Sequence, residues 1–506
     1  GQPDSGPEPT VSLAGRFARG ASWSLLGMGA AQGLAMVASI VTARLLGRVA
    51  FGELTMVTGT VGAFGILAGL GLGLTATKYT AEHRSSDPAR AGQILGLAQL
   101  VAAVSGGLTA VILFLLAPWL AAQTLNAPNL ADELRLGCIL LFLNALDGTQ
   151  TGALAGLEAF RATARVSLLR GLLSFPALIG GVWLYGLTGA VAATVFVGAV
   201  AWILNQRALR QESAKRGLRI SYRGVRPNLP ILWQFSLPAL LSAVMVAPVM
   251  WLANAILVNQ PGGYGELGLF NAANQWRTAI MFLPAVLLRV ALPMMASATH
   301  PRQAGDFGRT LVLAQSLTVA IVLPVGVLLM FLSGPIMRLY GNEFIHGADV
   351  LIGVACTIMI ASIGNATGAA IEARGKMWRG LALNLSWAVV LIVAVGFTAS
   401  EWGARSLAYG SAVAYLIMSL WGFQYVASDL PPGMLPRLFR ALAFTIALTA
   451  FCLLLSPSTR VLLAGPAVLV TVYTSMAAFV DRGLIRTLIT RARAWRGYLP
   501  GSVRSK

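Results

Sequence analysis

Charged residues are scarce in this chain of 506 residues: Asp, Glu, Lys and Arg make up 11% of it, and hydrophobic residues make up 57%. A soluble domain carries about a quarter charged residues, so this composition excludes an ordinary soluble globular protein. Apolar runs of about 20 residues recur from end to end, and each is long enough to cross a hydrocarbon core about 30 Å thick. We therefore predict an all-α polytopic membrane protein.

The residues that carry catalysis and metal binding are also few. The three cysteines and three histidines are scattered, and their spacing indicates neither a metal site nor a catalytic triad. A phosphate-binding Gly-x4-Gly-Lys-Ser/Thr loop is missing, since Gly375-Lys376 is followed by Met377. The segments between apolar runs are short and leave no room for an extramembrane catalytic domain. We expect no metal, no cofactor and no enzymatic activity.

The apolar runs predict about fourteen transmembrane helices. Their boundaries are 21–43, 52–77, 94–117, 134–157, 166–185, 187–205, 232–258, 268–296, 310–333, 350–372, 380–398, 404–426, 438–456 and 461–480. Because fourteen is an even number, both ends of the chain are expected on the same side of the membrane.

The distribution of positive charge supports this count. Retained Lys and Arg lie on the cytoplasmic side of a membrane protein. With the N-terminus inside, 29 of the 37 Lys and Arg fall on inside segments and five fall outside. The net charge of +19 is therefore mostly a topology signal. We expect a bacterial inner-membrane protein with both termini in the cytoplasm, and no nucleic-acid partner.

Short motifs repeat at a nearly constant separation. Phe-Gly-Glu-Leu at 51–54 and Tyr-Gly-Glu-Leu at 264–267 are 213 residues apart, and Leu-Glu-Ala at 157–159 and Ile-Glu-Ala at 371–373 are 214 apart. Gly189-Ala190 also pairs with Gly403-Ala404 at 214. The offset equals six spans, which predicts two parallel, pseudo-symmetric six-helix lobes facing each other across a cleft.

The repeat divides the chain into five parts. They are a disordered N-terminal tail (1–14), an N-lobe with spans one to six (15–215), a C-lobe with spans seven to twelve (227–428), spans thirteen and fourteen (436–480) and a basic cytoplasmic tail (481–506).

Span eight is the most polar of the predicted helices. At 100° per residue its polar side chains cover an arc of about 160°. Two are arginines at different depths, and a guanidinium group recognises an anion such as a diphosphate through its fork of donors. Snorkelling to the cytoplasmic headgroups is an equally good account of Arg289 alone. The predicted substrate-binding residues of this span are Asn271, Asn274, Arg277, Thr278 and Arg289, with Gln275 on the same side.

Span four carries the main buried acid. Asn144, Asp147, Gln150 and Thr151 share one helix face, and we assign Asn144 and Gln150 to substrate binding. Asp147 is expected to pair with an arginine, to carry a proton or hold a coupling ion, or simply to make structural hydrogen bonds between helices; the sequence leaves these open.

The ends of the second span provide further basic candidates. Arg44 and Arg48 lie just before it and Lys78 at its far end, where they either flank the cleft mouth or serve only as membrane-interface residues. The repeat-related glutamates stand at helix ends, and we expect them to hold turns and to balance nearby Arg161 and Arg374. They are Glu53, Glu158, Glu266 and Glu372.

Several stretches resemble the Wzx-type polysaccharide flippases of the MOP superfamily, which also contains MurJ and the MATE exporters. They are Gly-Ala-Ser-Trp at 20–23, Ala-Arg-Leu-Leu-Gly at 43–47, Phe-Gly-Glu-Leu at 51–54 and the glycine-rich run 69–73 leading into 76–82. The resemblance implies alternating access of a polyprenyl-diphosphate-linked glycan through a cationic central cavity. It also implies a role for an arginine on the eighth helix, which Arg277 matches.

The leading hypothesis is a flippase for lipid-linked oligosaccharide units used in exopolysaccharide, capsule or O-antigen synthesis. MurJ-like flipping of lipid II and MATE-type export of cations or drugs stay open as alternatives. The partners expected are the glycan substrate, membrane lipids and a polysaccharide polymerase or export machinery, with the protein itself a monomer.

Overall fold

The computed structural model describes residues 13–237, 240, 246–297, 304–374, 376–427, 430 and 433–479. These residues are almost entirely helical and contain no β-strand, which confirms the predicted all-α class. The predicted N-terminal tail, up to residue 12, and the basic tail lie outside them. The helices are α1 (Leu13–Gly69), α2 (Leu72–His83), α3 (Pro88–Trp119), α4 (Ala131–Gly156), α5 (Phe160–Lys215), α6 (Val246–Val258), α7 (Gly263–Ser297), α8 (Ala304–Phe331), α9 (Ser333–Arg338), α10 (Ala348–Ala373), α11 (Met377–Trp402), α12 (Ala404–Val426), α13 (Met434–Leu454) and α14 (Pro457–Phe479).

Within the described ranges, nine helical stretches are long and apolar enough to cross a membrane. One of them, in α5, has 56 residues and so measures about 84 Å, far more than one crossing requires. The helix bends back at Tyr185 and Gly186, and α1 turns likewise at Gly47. Each of these two long helices therefore covers two of the predicted spans.

The tight turn inside α5 has a counterpart between α11 and α12. Gly186 has φ 55° and ψ −128°, and Gly403 has φ 52° and ψ −129°, a backbone conformation that glycine adopts readily. The equivalent positions are thus 217 residues apart. The sequence pairs Gly189 with Gly403, whereas the matching turn conformation pairs Gly403 with Gly186, three residues earlier.

Contacts within each half of the chain are extensive. In the first half α1 packs on α5, and α4 lies between α3 and α5; in the second half α10 packs on α8 and α12. Between the halves, α1 makes most of the described contacts, against α6 and α7. The exact lobe boundaries stay a prediction.

The two copies of the Gly-Glu-Leu motif meet each other where the halves touch. A Cβ atom on Gly52 would lie 1.9 Å from the carbonyl oxygen of Tyr264, and one on Gly268 would lie 2.0 Å from that of Arg48. Only glycine permits this separation, so α1 and α7 cross backbone against backbone. The positive-inside rule predicts that this crossing lies at the outer end of the bundle.

Among the repeat-related glutamates, Glu266 holds a turn as predicted, and the side chain of Glu372 lies outside the described part of the structure. The Oε2 of Glu266 accepts a hydrogen bond from the backbone N–H of Ala404, the first residue of α12, at 2.8 Å. The expected balance between Glu158 and Arg161 is wrong, because Glu158 pairs with Arg84 at 2.5 Å. Arg84 reaches it from the end of α2, which the chain order alone does not bring close.

An ion pair with a buried arginine connects the last two helices to the second half. Arg460 of α14 is 8% exposed and lies 3.4 Å from a carboxylate oxygen of Asp349 on α10. Arg405 of α12 binds the other oxygen at 2.7 Å. Arg460 also donates to the carbonyl oxygens of Leu453 and Leu455 at 3.3 and 3.1 Å, so its charge is well compensated.

Candidate functional site

Arg277 lies half-buried in the middle of α7 and points to α12. Its Nε donates to Asn274 Oδ1 at 2.9 Å, and its Nη1 lies 3.5 Å from the hydroxyl of Tyr415. Among the described carboxylates none forms an ion pair with Arg277. Since arginine keeps its proton, a positive charge lies inside the helix bundle without a carboxylate partner among the described residues.

One buried hydrogen-bond donor beside Arg277 has no acceptor within the described structure. Arg277 lines a cavity of about 10 Å³, room for about one water molecule, with Thr357, Ser411 and Trp387. Trp387 is 4% exposed and its indole N–H has no partner within the described structure. A buried donor left unpartnered costs free energy, so this position favours an occupant that accepts a hydrogen bond, and at this size the cavity holds a water molecule.

A second cavity, of about 170 Å³, lies between α1, α5 and α7. Asn271 contributes from α7, and the buried hydroxyl of Thr42 there has no hydrogen-bond partner. Hydroxyl and amide groups both donate and accept, which suits them to the hydroxyl groups of a sugar. The other hydroxyl side chains that line this cavity are Ser39, Thr55, Thr58 and Thr194.

Sequence reasoning missed these hydroxyl residues. Thr55 and Thr58 donate to backbone carbonyls within their own helix, as threonine commonly does in apolar helices, and this makes them look structural. The spacing of these residues in the sequence does indicate a shared surface. Ser39 and Thr42 are three residues apart, as are Thr55 and Thr58, and residues at this spacing share a helix face.

The remaining polar residues of α7 do not lie together with Arg277. Gln275 donates to the hydroxyl of Ser39 on α1, and its amide oxygen lies 3.4 Å from the Tyr340 hydroxyl. Thr278 is exposed. The backbone of Arg289 belongs to α7, but its side chain lies outside the described part of the structure.

Asp147 faces α5 rather than α7. Its Oδ1 accepts a hydrogen bond from Asn205 Nδ2 at 2.7 Å, and no described arginine pairs with it. This geometry fits the structural alternative, a hydrogen bond between packed helices. The structure therefore does not bring Asp147 and Arg277 together.

The other residues assigned to span four also lie apart from α7. Gln150 is buried and lies 2.8 Å from Gln206 on α5, within the first half of the chain. Asn144 is exposed. A helix face shared in sequence thus packs against α5, and only tertiary structure decides which neighbour it meets.

Arg44 and Lys78 lie at opposite ends of the second span. Arg44 is exposed beside the turn at Gly47. Lys78 is exposed, and its ammonium group lies 4.4 Å from the ring centre of Phe235 and 5.0 Å from that of Tyr79. Neither residue contacts the groups around Arg277.

Comparison with curated proteins gives two similar relatives. The EPS I polysaccharide export inner membrane protein EpsE of Ralstonia nicotianae is 27% identical over 426 residues, which cover 81% of this chain and 94% of the relative. The protein of the same name from Ralstonia solanacearum is 25% identical over 417 residues, covering 79% and 93%.

Solved structures of MOP superfamily transporters share the fold. The lipid II flippase MurJ in an inward closed conformation superposes with a TM-score of 0.69 at 13% identity, over 92% of this chain and all of that one. A MOP superfamily transporter from Pyrococcus furiosus gives 0.61 at 16% identity, over 81% and 96%. These likenesses confirm the predicted MurJ- and MATE-like architecture.

The family comparison covers more than half of the chain and includes α1 to α7, the helices that carry most of the polar groups described above. Residues 17–299 match the family described as polysaccharide biosynthesis protein. The chain therefore belongs to the polysaccharide biosynthesis protein family.

Proposed function

We propose that this protein is a flippase that moves polyprenyl-diphosphate-linked oligosaccharide units from the cytoplasmic to the outer leaflet of the inner membrane, for exopolysaccharide, capsule or O-antigen synthesis. The observation that carries the proposal is Arg277: a permanent charge within the bundle, without a carboxylate partner in the described structure, beside the unpartnered indole of Trp387.

The diphosphate is the part of the substrate that Arg277 would recognise. Guanidinium groups bind phosphate oxygens through two parallel hydrogen bonds, and such charge-assisted bonds are about twice as strong as neutral ones. Desolvating a charge inside a bundle is costly, so a site that lacks a permanent counter-ion gains most from an anionic substrate. Asn274 orients the guanidinium, and Arg289, on the same helix, is the second cation proposed for the path.

The glycan is assigned to the cavity between α1, α5 and α7. Its hydroxyl side chains and Asn271 can exchange hydrogen bonds with sugar hydroxyl groups, which the surrounding apolar helices cannot. Transport by alternating access then requires the halves to separate at the outer end, where the backbones cross at Gly52 and Gly268.

The same proposal covers orientation and partners. Both termini face the cytoplasm, since the basic segments lie there by the positive-inside rule. The Ralstonia relatives are named as inner-membrane proteins of polysaccharide export. We propose a monomer that receives the lipid-linked glycan and delivers it to a polymerase or export machinery.

The decisive experiment is mass spectrometry of polyprenyl lipids from source cells depleted of this protein. Accumulation of a polyprenyl-diphosphate oligosaccharide supports the proposal and identifies the cargo. Accumulation of lipid II would instead assign the chain the activity for which the structurally similar MurJ is named. An unchanged lipid profile would overturn flipping and direct the work to export of cationic compounds.

Re-expression of variants in these cells tests the site. Arg277→Ala should leave the lipid accumulated, while Arg277→Lys, which keeps the charge but loses the fork of donors, should restore flux only in part. Arg338→Ala is the matched control, because Arg338 is exposed and lies away from the cavities described above. Normal flux through Arg277→Ala at normal expression would contradict the site assignment.

A further inference from the structure

A polar crevice lies within the first half of the chain, apart from the groups around Arg277. It consists of two cavities, of about 200 and 570 Å³, which share Gln206 and Tyr222 in their walls. The smaller cavity is enclosed by α3, α4 and α5. The larger one lies beneath the segment that follows α5, where seven basic residues occur between Arg207 and Arg226.

Each cavity contains a buried polar group that has no hydrogen-bond partner among the residues that the structure describes. Gln99 is 8% exposed, and although its Oε1 accepts from the Tyr222 hydroxyl at 2.8 Å, its Nε2 is unpartnered. Ser213 is 2% exposed and its Oγ is unpartnered. Both groups can donate, and a buried donor with no acceptor is costly, which points to a ligand that accepts hydrogen bonds.

The positive charge of the larger cavity also indicates a ligand that accepts hydrogen bonds. Arg210 and Arg219 line it, and neither belongs to an ion pair within the described residues. The neighbouring acid, Glu212, is already engaged by Lys215 at 2.6 Å and by Arg216 at 3.1 Å. The crevice thus offers two guanidinium groups to an anion from outside the chain.

Backbone contacts between α3 and the segment after α5 fix the walls of the crevice. The backbone N–H of Ser221 donates to the carbonyl oxygen of Gly92 at 3.2 Å. Cβ atoms on Gly92 and Gly96 would each lie 2.0 Å from a carbonyl oxygen of the segment that follows α5. The backbones of α3 and of this segment are therefore in direct contact. The arginine-bearing segment is therefore fixed against the helix that carries Gln99.

The crevice opens toward lipid. Leu100 lines it and is 45% exposed on α3, which is an apolar membrane-crossing helix. The basic segment at its base belongs at the cytoplasmic headgroup level by the positive-inside rule. Polar groups at membrane depth are tolerated where they face water or a polar ligand, and basic pockets between helices on this side bind acidic lipid headgroups.

We infer that this crevice binds the phosphate headgroup of an anionic phospholipid from the cytoplasmic leaflet. Arg210 and Arg219 bind the phosphate, and Ser213 and Gln99 donate to the oxygens of the headgroup deeper in the crevice. Because its walls come from the first half of the chain alone, this lipid can stay bound while the halves move against each other. It is a structural lipid rather than the cargo.

Native mass spectrometry of the purified full-length protein tests the inference, with phosphatidylglycerol and phosphatidylcholine titrated separately. We expect preferential retention of phosphatidylglycerol. The double variant Arg210→Gln/Arg219→Gln should bind it about 30-fold more weakly, as expected for two arginines at a membrane surface. The control Arg223→Gln/Arg226→Gln removes the same charge from exposed positions of the same segment that do not line the crevice, and it should bind normally.

A second variant separates lipid binding from general charge. Ser213→Ala removes one hydroxyl without changing charge; it should weaken phosphatidylglycerol binding several-fold and leave the unfolding temperature of the delipidated protein unchanged. Equal retention of the two phospholipids, or equal loss in both double variants, would overturn the inference. Displacement of phosphatidylglycerol by a polyprenyl diphosphate would also overturn it, by assigning the crevice to the substrate.

Discussion

The crossing of α1 and α7 at Gly52 and Gly268 gives a sharp test of the proposed alternation between a closed and an open outer end. Adding a methyl group at Gly52 places a Cβ atom 1.9 Å from the carbonyl oxygen of Tyr264. Real Cβ contacts essentially never fall below 3.0 Å, so the two backbones must separate by about 1.1 Å or more. Gly268→Ala makes the reciprocal clash with Arg48.

The free-energy cost of these substitutions follows from overpacking at the helix crossing. Overpacking of this sort costs about 1–3 kcal/mol. Alanine also favours the helix over glycine by up to about 1 kcal/mol, but that gain is present whether the outer end is open or closed and so cancels. A bias of about 1–3 kcal/mol against the closed state shifts the open-to-closed ratio by about 5- to 150-fold.

Labelling of a cavity residue measures that shift. The reporter is Thr58→Cys, which lines the cavity between α1, α5 and α7, in a protein whose three buried cysteines are replaced. A membrane-impermeant maleimide applied from outside should label it faster in Gly52→Ala and in Gly268→Ala. Gly62→Ala is the matched control, since a Cβ atom there meets nothing within 4 Å. Labelling of both variants at the control rate, with normal protein levels, would refute the role of the crossing.

Two further predictions concern the helix contacts around the site. Asp147→Asn should keep the hydrogen bond from Asn205 and support near-normal lipid flux. Asp147→Leu leaves the Asn205 amide unpartnered, so it should lower the free energy of unfolding by about 1–3 kcal/mol and lower the unfolding temperature. Loss of flux in a stable Asp147→Asn protein would instead indicate that the acid carries a proton or ion. Arg460→Ala should destabilise the protein by about 1–3 kcal/mol, because the hydrogen bonds of the buried guanidinium to Leu453 and Leu455 are lost while Asp349 keeps Arg405 as a partner, and Arg338→Ala should not; equal unfolding temperatures for the two would contradict this account.

The sequence was informative about crossings because lipid imposes a simple rule on composition. A span must be about 20 apolar residues long, so hydropathy alone locates it, and retained arginine and lysine orient it. The same rule makes polar residues within an apolar span conspicuous, and the polar residues of α7 and the acid Asp147 are such residues. The Gly-Glu-Leu repeat likewise identified two related halves before any contact between them was known.

Composition does not say which neighbour a polar face meets, and there the structure was needed. Asp147 and Arg277 looked like possible partners, yet one binds Asn205 and the other lies beside Tyr415. The hydroxyl residues around Asn271 were overlooked because threonine in a helix satisfies itself locally.

The sequence by itself determined that this chain is an all-helical membrane protein built from two related halves, because burial in lipid constrains every span independently of the others. Only the tertiary structure decided that Gly52 and Gly268 bring the two motifs together, that Arg84 rather than Arg161 meets Glu158, and that Arg277 has no described carboxylate beside it. These are contacts between residues from tens to more than two hundred positions apart, and they depend on how helices pack rather than on what each helix contains.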